Sequence, residues 1–371
     1  MRYYIIAGER SGDLHGGNLA KALRKYDPQG TFRGFGGEYM TEAGVDLAVH
    51  YGEMAFMGMT ELLANLWKIR QYIRKCKRDI EQYKPDVLIL IDYGGFNRRI
   101  ARYGRKHGIR VFYYIPPKVW AWYQGRAWEL KSNVDRLFVI LPFEKKFYKR
   151  FNWEVDYVGN PVLDAVRAHQ PDEVFLEREN LLDEKPIVAL LPGSRRHEVE
   201  LIIPVMAEVA RRNPMYRFVV ASVDNLNPTL YADLRSLTNV SFVSNRTYDL
   251  LRHSSAAVVT SGTATLETAL FNVPQIVVYR ASYVSYLLAK MVIKVPFISL
   301  VNLIADREVV KEFIQGEAKE SVITAELRQL VDGDRRQVVK EGYREIVGLL
   351  DTGSSASENA ARLMVNYLGQ G

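Results

Sequence analysis

Short apolar runs of strand length alternate with longer stretches of helical spacing along the whole chain, and this alternation restricts the fold more than any other feature. Residues 3–7, 87–91, 111–115 and 136–141 read as strands of one sheet, and residues 187–191, 218–221, 256–259 and 275–279 as strands of a second. A helix between successive strands implies parallel pairing, with ligands taken up at the carboxyl ends of the strands. The expected fold is α/β, with two doubly wound, Rossmann-like domains facing a cleft. A chain of 371 residues is long for one such domain and sufficient for two cores. The Pro- and Gly-containing stretch 159–172 reads as the linker. The expected division is 1–164, 165–345 and a helical tail over 346–371, where a helix at 357–368 follows Thr352-Gly353-Ser354-Ser355.

Two segments of the second half carry phosphate-type logic. In 253–271 the run Ala256–Val259 meets Thr260-Ser261-Gly262-Thr263 before a helical pattern begins. A strand, a small-residue turn and a helix start aim backbone N–H groups and a positive helix end at an anion. Ser261, Gly262 and Thr263 are therefore candidate diphosphate ligands. Glu267, one turn on, could accept from ribose hydroxyls, although an ordinary helix start with a surface Glu has the same pattern. Residues 190–196, LLPGSRR, repeat the arrangement: Ser194 could hold one phosphate oxygen and Arg195 could fork onto two. Two such loops in one domain favour a nucleoside diphosphate over a purely structural turn.

In the first half, Gly8-Glu9-Arg10-Ser11-Gly12-Asp13-Leu14-His15 follows the first strand but lacks the G-x-G-x-x-G spacing of dinucleotide sites. Its backbone could approach a sugar or phosphate, and a tight strand-to-helix turn would look the same. Asp92 follows the apolar run 87–91, where partial desolvation would raise a carboxylate pKa toward general-base use. A turn-capping Asp before Gly94-Gly95 is the alternative. No paired-cysteine or HExxH motif suggests a metal, and Asp332-Gly333-Asp334 reads as a solvated turn. No cofactor is expected.

Charge is divided unevenly. Residues 1–164 hold 27 Lys and Arg against 18 Asp and Glu, whereas the remainder holds 23 against 25. The net +7 thus lies in the first half, which should face something anionic. No helix-turn-helix, zinc-finger or RNP signature supports nucleic acid. An anionic membrane surface or a phosphorylated substrate fits better. Leu62, Leu66, Ile69, Ile73, Cys76 and Ile80 form one helical stripe, leaving Met59, Leu63 and Trp67 on a neighbouring row with Phe56 upstream. Lys68, Arg70, Arg74, Lys75, Lys77 and Arg78 share that helix, so the row is a candidate membrane-docking surface. The single cysteine, Cys76, excludes an internal disulfide and fits a reducing compartment. No N-terminal signal or membrane-spanning run is expected, because residues 286–304 are broken by Lys290, Lys294 and Pro296.

The motifs together resemble the lipid-A-disaccharide synthase family. They are AGERSGDLHG at 7–16, GGEYMTEAG at 36–44, FMGMTELL at 56–63, KPDVLILIDYGGFN at 84–97, PPKVWAWYQGR at 116–126 and LPFEKKFY at 141–148. The second half adds YVGNP at 157–161, LLPGSRRHEVE at 190–200, TSGTATLETAL at 260–270 and SLVNLIADREVVKE at 299–312. The chain departs from the family pattern at Pro116 or Pro117 (Ser), Val301 (Pro) and Asp306 (often Gly).

The resemblance implies a GT-B-type, metal-independent, inverting glycosyltransferase. It would join UDP-2,3-diacylglucosamine to 2,3-diacylglucosamine 1-phosphate through a β-1,6 link and release UDP. On this reading Asp92 is the base, with His15 as an alternative that titrates near neutrality. Ser11, Gly12 and Asp13 would bind the acceptor. Ser194, Arg195, Ser261, Gly262, Thr263, Glu267 and Asn302 would surround the donor. The resemblance places the enzyme in the cytoplasm, peripheral on the cytoplasmic face of the inner membrane, and is compatible with a homodimer. A UDP-sugar epimerase of the same fold, or a non-catalytic UDP-sugar-binding protein at the membrane, would share the UDP site.

Overall fold

The computed structural model describes residues 1–54, 66–224 and 226–369. The chain forms two compact units: residues 1–161 together with 351–371, and residues 162–350.

The first unit is built on a seven-stranded sheet of order β3-β2-β1-β4-β5-β6-β7. Its strands are β1 (Arg2–Ala7), β2 (Thr31–Gly36), β3 (Asp46–His50), β4 (Val87–Ile91), β5 (Arg110–Tyr114), β6 (Arg136–Val139) and β7 (Asp156–Tyr157). All pairings are parallel. Every residue of β4 is buried, as a continuous apolar strand covered on both faces requires. The end of the chain returns here: the helix Ala356–Gly369 packs Ala360, Met364 and Leu368 into the same core as Ile5, Ile89 and Phe138. Asn359 Nδ2 donates to the Val158 carbonyl at 3.1 Å, and the Arg136 guanidinium lies 3.7 Å from the Tyr367 ring centroid.

The second unit carries a six-stranded parallel sheet of order β10-β9-β8-β11-β12-β13. Its strands are β8 (Ile187–Leu191), β9 (Arg217–Ser222), β10 (Val240–Ser244), β11 (Ala256–Thr260), β12 (Gln275–Tyr279) and β13 (Glu312–Ile314). The α/β architecture with two doubly wound sheets matches the expected class, and each sheet holds strands that residue patterning passes over. β2 is one of these. Its Gly34 looks like a turn residue, yet a Cβ there would lie 1.8 Å from the Ile5 carbonyl oxygen, so the strand needs glycine to pair with β1.

On the basic helix Leu66–Tyr83, Ile73, Cys76 and Ile80 are buried and Ile69 is half-buried, while Trp67 is 66 % exposed. Phe56, Met59, Leu62 and Leu63 lie outside the described residues. Among the described residues no helix is long and apolar enough to cross a membrane.

Candidate active site

Each sheet reverses its winding direction at one point, between β1 and β4 in the first unit and between β8 and β11 in the second. Such a switch point opens a crevice beyond the carboxyl ends of its two strands. Ala7 pairs with Ile91, so Glu9 and Asp92 leave the sheet side by side; Leu191 pairs with Val259, so the LPGSR and TSGT turns do the same.

Asp92 sits in strained backbone. Asp92 and Tyr93 both have positive φ (44° and 48°), as does the β-branched Ile115 after β5 (57°). Partly buried hydrogen bonds hold this geometry. The Asp92 carbonyl accepts from Tyr113 Oη at 2.5 Å and from Asn97 Nδ2 at 2.9 Å, and the Asp92 N–H donates to the Ile115 carbonyl at 3.1 Å. The Tyr93 ring occupies the space a Cβ on Gly8 would need, at 2.3 Å, so that glycine admits a side chain. The Asp92 carboxyl reaches solvent, yet the protein packed around it raises its pKa. The Glu9 charge adds to the rise, and Lys118 opposes it.

The other expected groups of this unit have different settings. Ser11 is exposed and Gly12 is buried within the helix Arg10–Tyr26. Asp13 is fully buried, its Oδ1 accepting from the N–H of Gly37 (2.6 Å) and Met40 (3.2 Å) and its Oδ2 from Tyr39 (3.0 Å). It therefore fixes the turn into the helix Glu38–Glu42. Asp13→Ala would strand those donors, and a loss of about 3 kcal/mol is expected in urea unfolding. His15 lies in the second turn of its helix, and burial pushes its pKa down to about 4, which corrects the expectation that it titrates near neutrality.

A buried carboxylate that sequence reasoning did not assign lies beneath the 116–125 segment. Glu144 is fully enclosed in the helix Pro142–Lys149. Its Oε2 accepts from the N–H groups of Ile140 (3.2 Å) and Leu141 (2.9 Å), and its Oε1 from Trp120 Nε1 (3.1 Å). The signal was present: Pro142 at the first helical position with Glu two residues on is a helix-start pattern. Glu144 thus ties the loop bearing the exposed Trp122 and Tyr123 to the sheet. Desolvation pushes its pKa up to about 7, above the unfolded value. The folded state then binds the extra proton, so this group's contribution to stability falls as pH rises from the ordinary carboxylate range through about 7. Thermal melts of wild type and Glu144→Gln across that window are expected to show wild type losing ground as pH rises, by about 3 kcal/mol at most.

In the second unit, Gly193 has φ +98°, and a Cβ there would meet Glu198 Oε2 at 3.0 Å. This lets the turn fold onto the first turn of the helix Arg196–Arg212. Ser194 is exposed. Arg195 precedes the helix with its side chain 74 % exposed, and its Nη1 donates to Glu198 Oε1 at 3.1 Å. Beside it, the helix Thr263–Leu270 begins without a side-chain cap, and Gly262 leaves open space on its Cβ side. Its first N–H groups are the bare donors an anion takes. Ser261 Oγ donates to the Ile298 carbonyl at 2.8 Å, so its hydroxyl fixes the turn. Thr260 Oγ1, buried in the strand that leads into it, has no hydrogen-bond partner among the described residues. Glu267 is half-buried with a raised pKa from burial, and its Oε1 accepts from Tyr248 Oη at 2.9 Å.

Asn302 is fully buried with both ends of its amide occupied. Its Oδ1 accepts from the N–H groups of Val309 (2.8 Å) and Val310 (3.0 Å), and its Nδ2 donates to the Val310 carbonyl (2.9 Å) and Glu312 Oε1 (2.8 Å). It staples the helix Leu300–Ala305 to β13. Asp306, which ends that helix, has φ +53°, a conformation glycine adopts without steric cost.

Residues 3–365 match the family model described as lipid-A-disaccharide synthetase. A lipid-A-disaccharide synthase from Syntrophus aciditrophicus is 40% identical over 98% of this chain and 97% of its own. Among solved structures, the glycosyltransferase of kitacinnamycin superposes with a TM-score of 0.70 over 99% of both chains at 14% identity. The UDP-GlcNAc 2-epimerase from Neisseria meningitidis, bound to UDP-GlcNAc, gives 0.65 over 100% of both at 15%. These two likenesses are of fold.

Proposed function

The chain belongs to the lipid-A-disaccharide synthase family and is a glycosyltransferase of GT-B type, and from that premise we propose how its residues divide the work. The enzyme joins UDP-2,3-diacylglucosamine to 2,3-diacylglucosamine 1-phosphate, giving the β-1,6-linked disaccharide 1-phosphate and UDP. Residues 1–164 take the acceptor, and residues 165–345 take the UDP-sugar.

Asp92 removes the proton of the acceptor 6-hydroxyl as that oxygen attacks the donor anomeric carbon opposite the diphosphate. The observation that carries this role is the Asp92 carboxylate at the β1/β4 switch point, its pKa raised by surrounding protein and by Glu9. His15 is the alternative base, and burial pushes its pKa down to about 4, away from the neutral range in which an imidazole ordinarily works. As the anomeric bond breaks, Arg195, Ser194 and the bare amides at Gly262 and Thr263 receive the charge growing on the diphosphate. Glu267 accepts from the ribose hydroxyls. Ser11 and the Gly12 backbone contact the acceptor, while Asp13, Ser261 and Asn302 hold the loops that make these contacts.

Both substrates carry acyl chains and stay in the bilayer, since each buried CH₂ contributes about 0.8 kcal/mol. We place the enzyme peripherally on the cytoplasmic face of the inner membrane, with Phe56, Met59, Leu63 and Trp67 as its docking row. The exposure of Trp67 and the surplus positive charge of the first half support this reading.

The anomeric configuration of the product tests the displacement. A single in-line attack on an α-linked donor gives the β-1,6 disaccharide by NMR coupling constants. An α-linked product would mean retention and would contradict a single in-line displacement with the attacking oxygen opposite the diphosphate.

A further inference from the structure

The helix Tyr283–Val292 in the second unit is apolar, yet none of its described residues is buried. Tyr283 is 73 % exposed, Leu288 55 % and Met291 71 %, with Leu287 and Ile293 also exposed. Within the helix, Tyr283, Leu287 and Met291 follow one another at four-residue spacing, so they form one continuous face with Leu288 at its edge. Tertiary packing of an apolar face is what normally stabilises a helix this short in water. Here that face meets solvent, which points to a partner outside the chain.

The charge around it indicates which partner. Between Glu267 and Asp306 the sequence contains no acidic residue, while Arg280, Lys290 and Lys294 lie within that span. Lys290 and Lys294 are exposed and form no ion pair among the described residues. Exposed leucine and methionine next to lysines that form no ion pair, in a stretch of sequence without acidic residues, complement an apolar layer beneath a negatively charged surface. A protein partner would have to supply an acidic rim around an apolar socket, whereas an anionic bilayer supplies both along its whole surface.

We propose that the helix Tyr283–Val292, with Lys290 and Lys294, is a second membrane-docking element, inserting Leu287, Leu288 and Met291 into the interface of an anionic phospholipid bilayer. It deepens the membrane reading given above, on which it rests, by giving the donor-binding unit its own contact with the surface that holds the donor. None of its residues belongs to the phosphate-binding turns.

The test is co-sedimentation of the full chain with vesicles of phosphatidylcholine alone and of phosphatidylcholine mixed with phosphatidylglycerol. Leu287→Ser/Leu288→Ser/Met291→Ser should lower the partition coefficient at least tenfold, with UDP binding unchanged. Lys290→Gln/Lys294→Gln should lower binding to the phosphatidylglycerol-containing vesicles roughly thirtyfold, at about one kcal/mol per lysine, and leave the preference that the first unit's basic helix supplies. A Trp67→Ser variant reports the first unit's contact separately. Unaltered vesicle binding by the apolar triple variant would overturn the proposal. So would a change in its sedimentation velocity without lipid, which would assign the face to contact between copies. Acceptor-dependent UDP release from detergent-dispersed substrate, measured on the same wild-type preparation, separates the two claims. Its absence would contradict the synthase reading, while the vesicle result alone decides the docking helix.

Discussion

Asp92→Asn is expected to lower kcat for disaccharide formation by about 10²–10⁴, the usual worth of a positioned general base, with the Kd for UDP unchanged. The substitution preserves shape and leaves the backbone unaltered, so the bonds from Tyr113 and Asn97 to the Asp92 carbonyl persist. What it removes is the ability to take a proton. The pH profile separates this from a structural effect. A base must be ionised to act, so wild-type kcat/KM should fall on acidification through the raised pKa of Asp92, above the ordinary carboxylate value of about 3.9. That acid limb should vanish in the variant. Glu9→Gln should shift the limb downward, because it removes the neighbouring charge that helps to raise it. A variant with near-normal turnover and an unchanged acid limb would take the role away from Asp92.

Arg195→Ala is expected to lower kcat/KM by about 10²–10³, in line with the loss of a cation at a developing diphosphate charge. Its guanidinium is well exposed and tied at one nitrogen to Glu198, which leaves donors for a phosphate while the ion pair holds the side chain near the turn. Arg195→Lys should restore part of the loss and no more, since an ammonium cannot fork onto two oxygens. UDP binding by calorimetry should weaken in both variants. If Arg195→Ala bound UDP as wild type does and turned over normally, the diphosphate would have to be held by helix amides alone.

Much of this fold was legible because parallel strands buried on both faces leave continuous apolar runs. β4, β8 and β12 begin and end where the sequence pattern places them. The strands that escaped notice have other compositions. β2 spends Gly34 on its approach to β1 and Gly36 on room for Met40 and Asp13, and β13 is three residues long with Glu312 accepting bonds from Ser299 and Asn302. The positions of Asp92 and Arg195 were legible for the same reason, since each directly follows a buried strand or its turn. What neighbouring side chains do to a residue was not. Asp13 is spent on N–H groups more than twenty residues away, and His15 is depressed by its surroundings. Asn302 closes a staple with residues only seven to ten positions on, which no periodicity announces. Glu144 had a recognisable helix-start signature, but its bond to Trp120 depends on a loop returning over the helix.

The most direct test of the account is UDP release from UDP-2,3-diacylglucosamine in mixed micelles, with and without 2,3-diacylglucosamine 1-phosphate. Release that depends on the acceptor and matches disaccharide formed, mole for mole, is the expected result. Release without acceptor, or a changed sugar with no disaccharide, would contradict a transferase and indicate hydrolysis or epimerisation at the same UDP site.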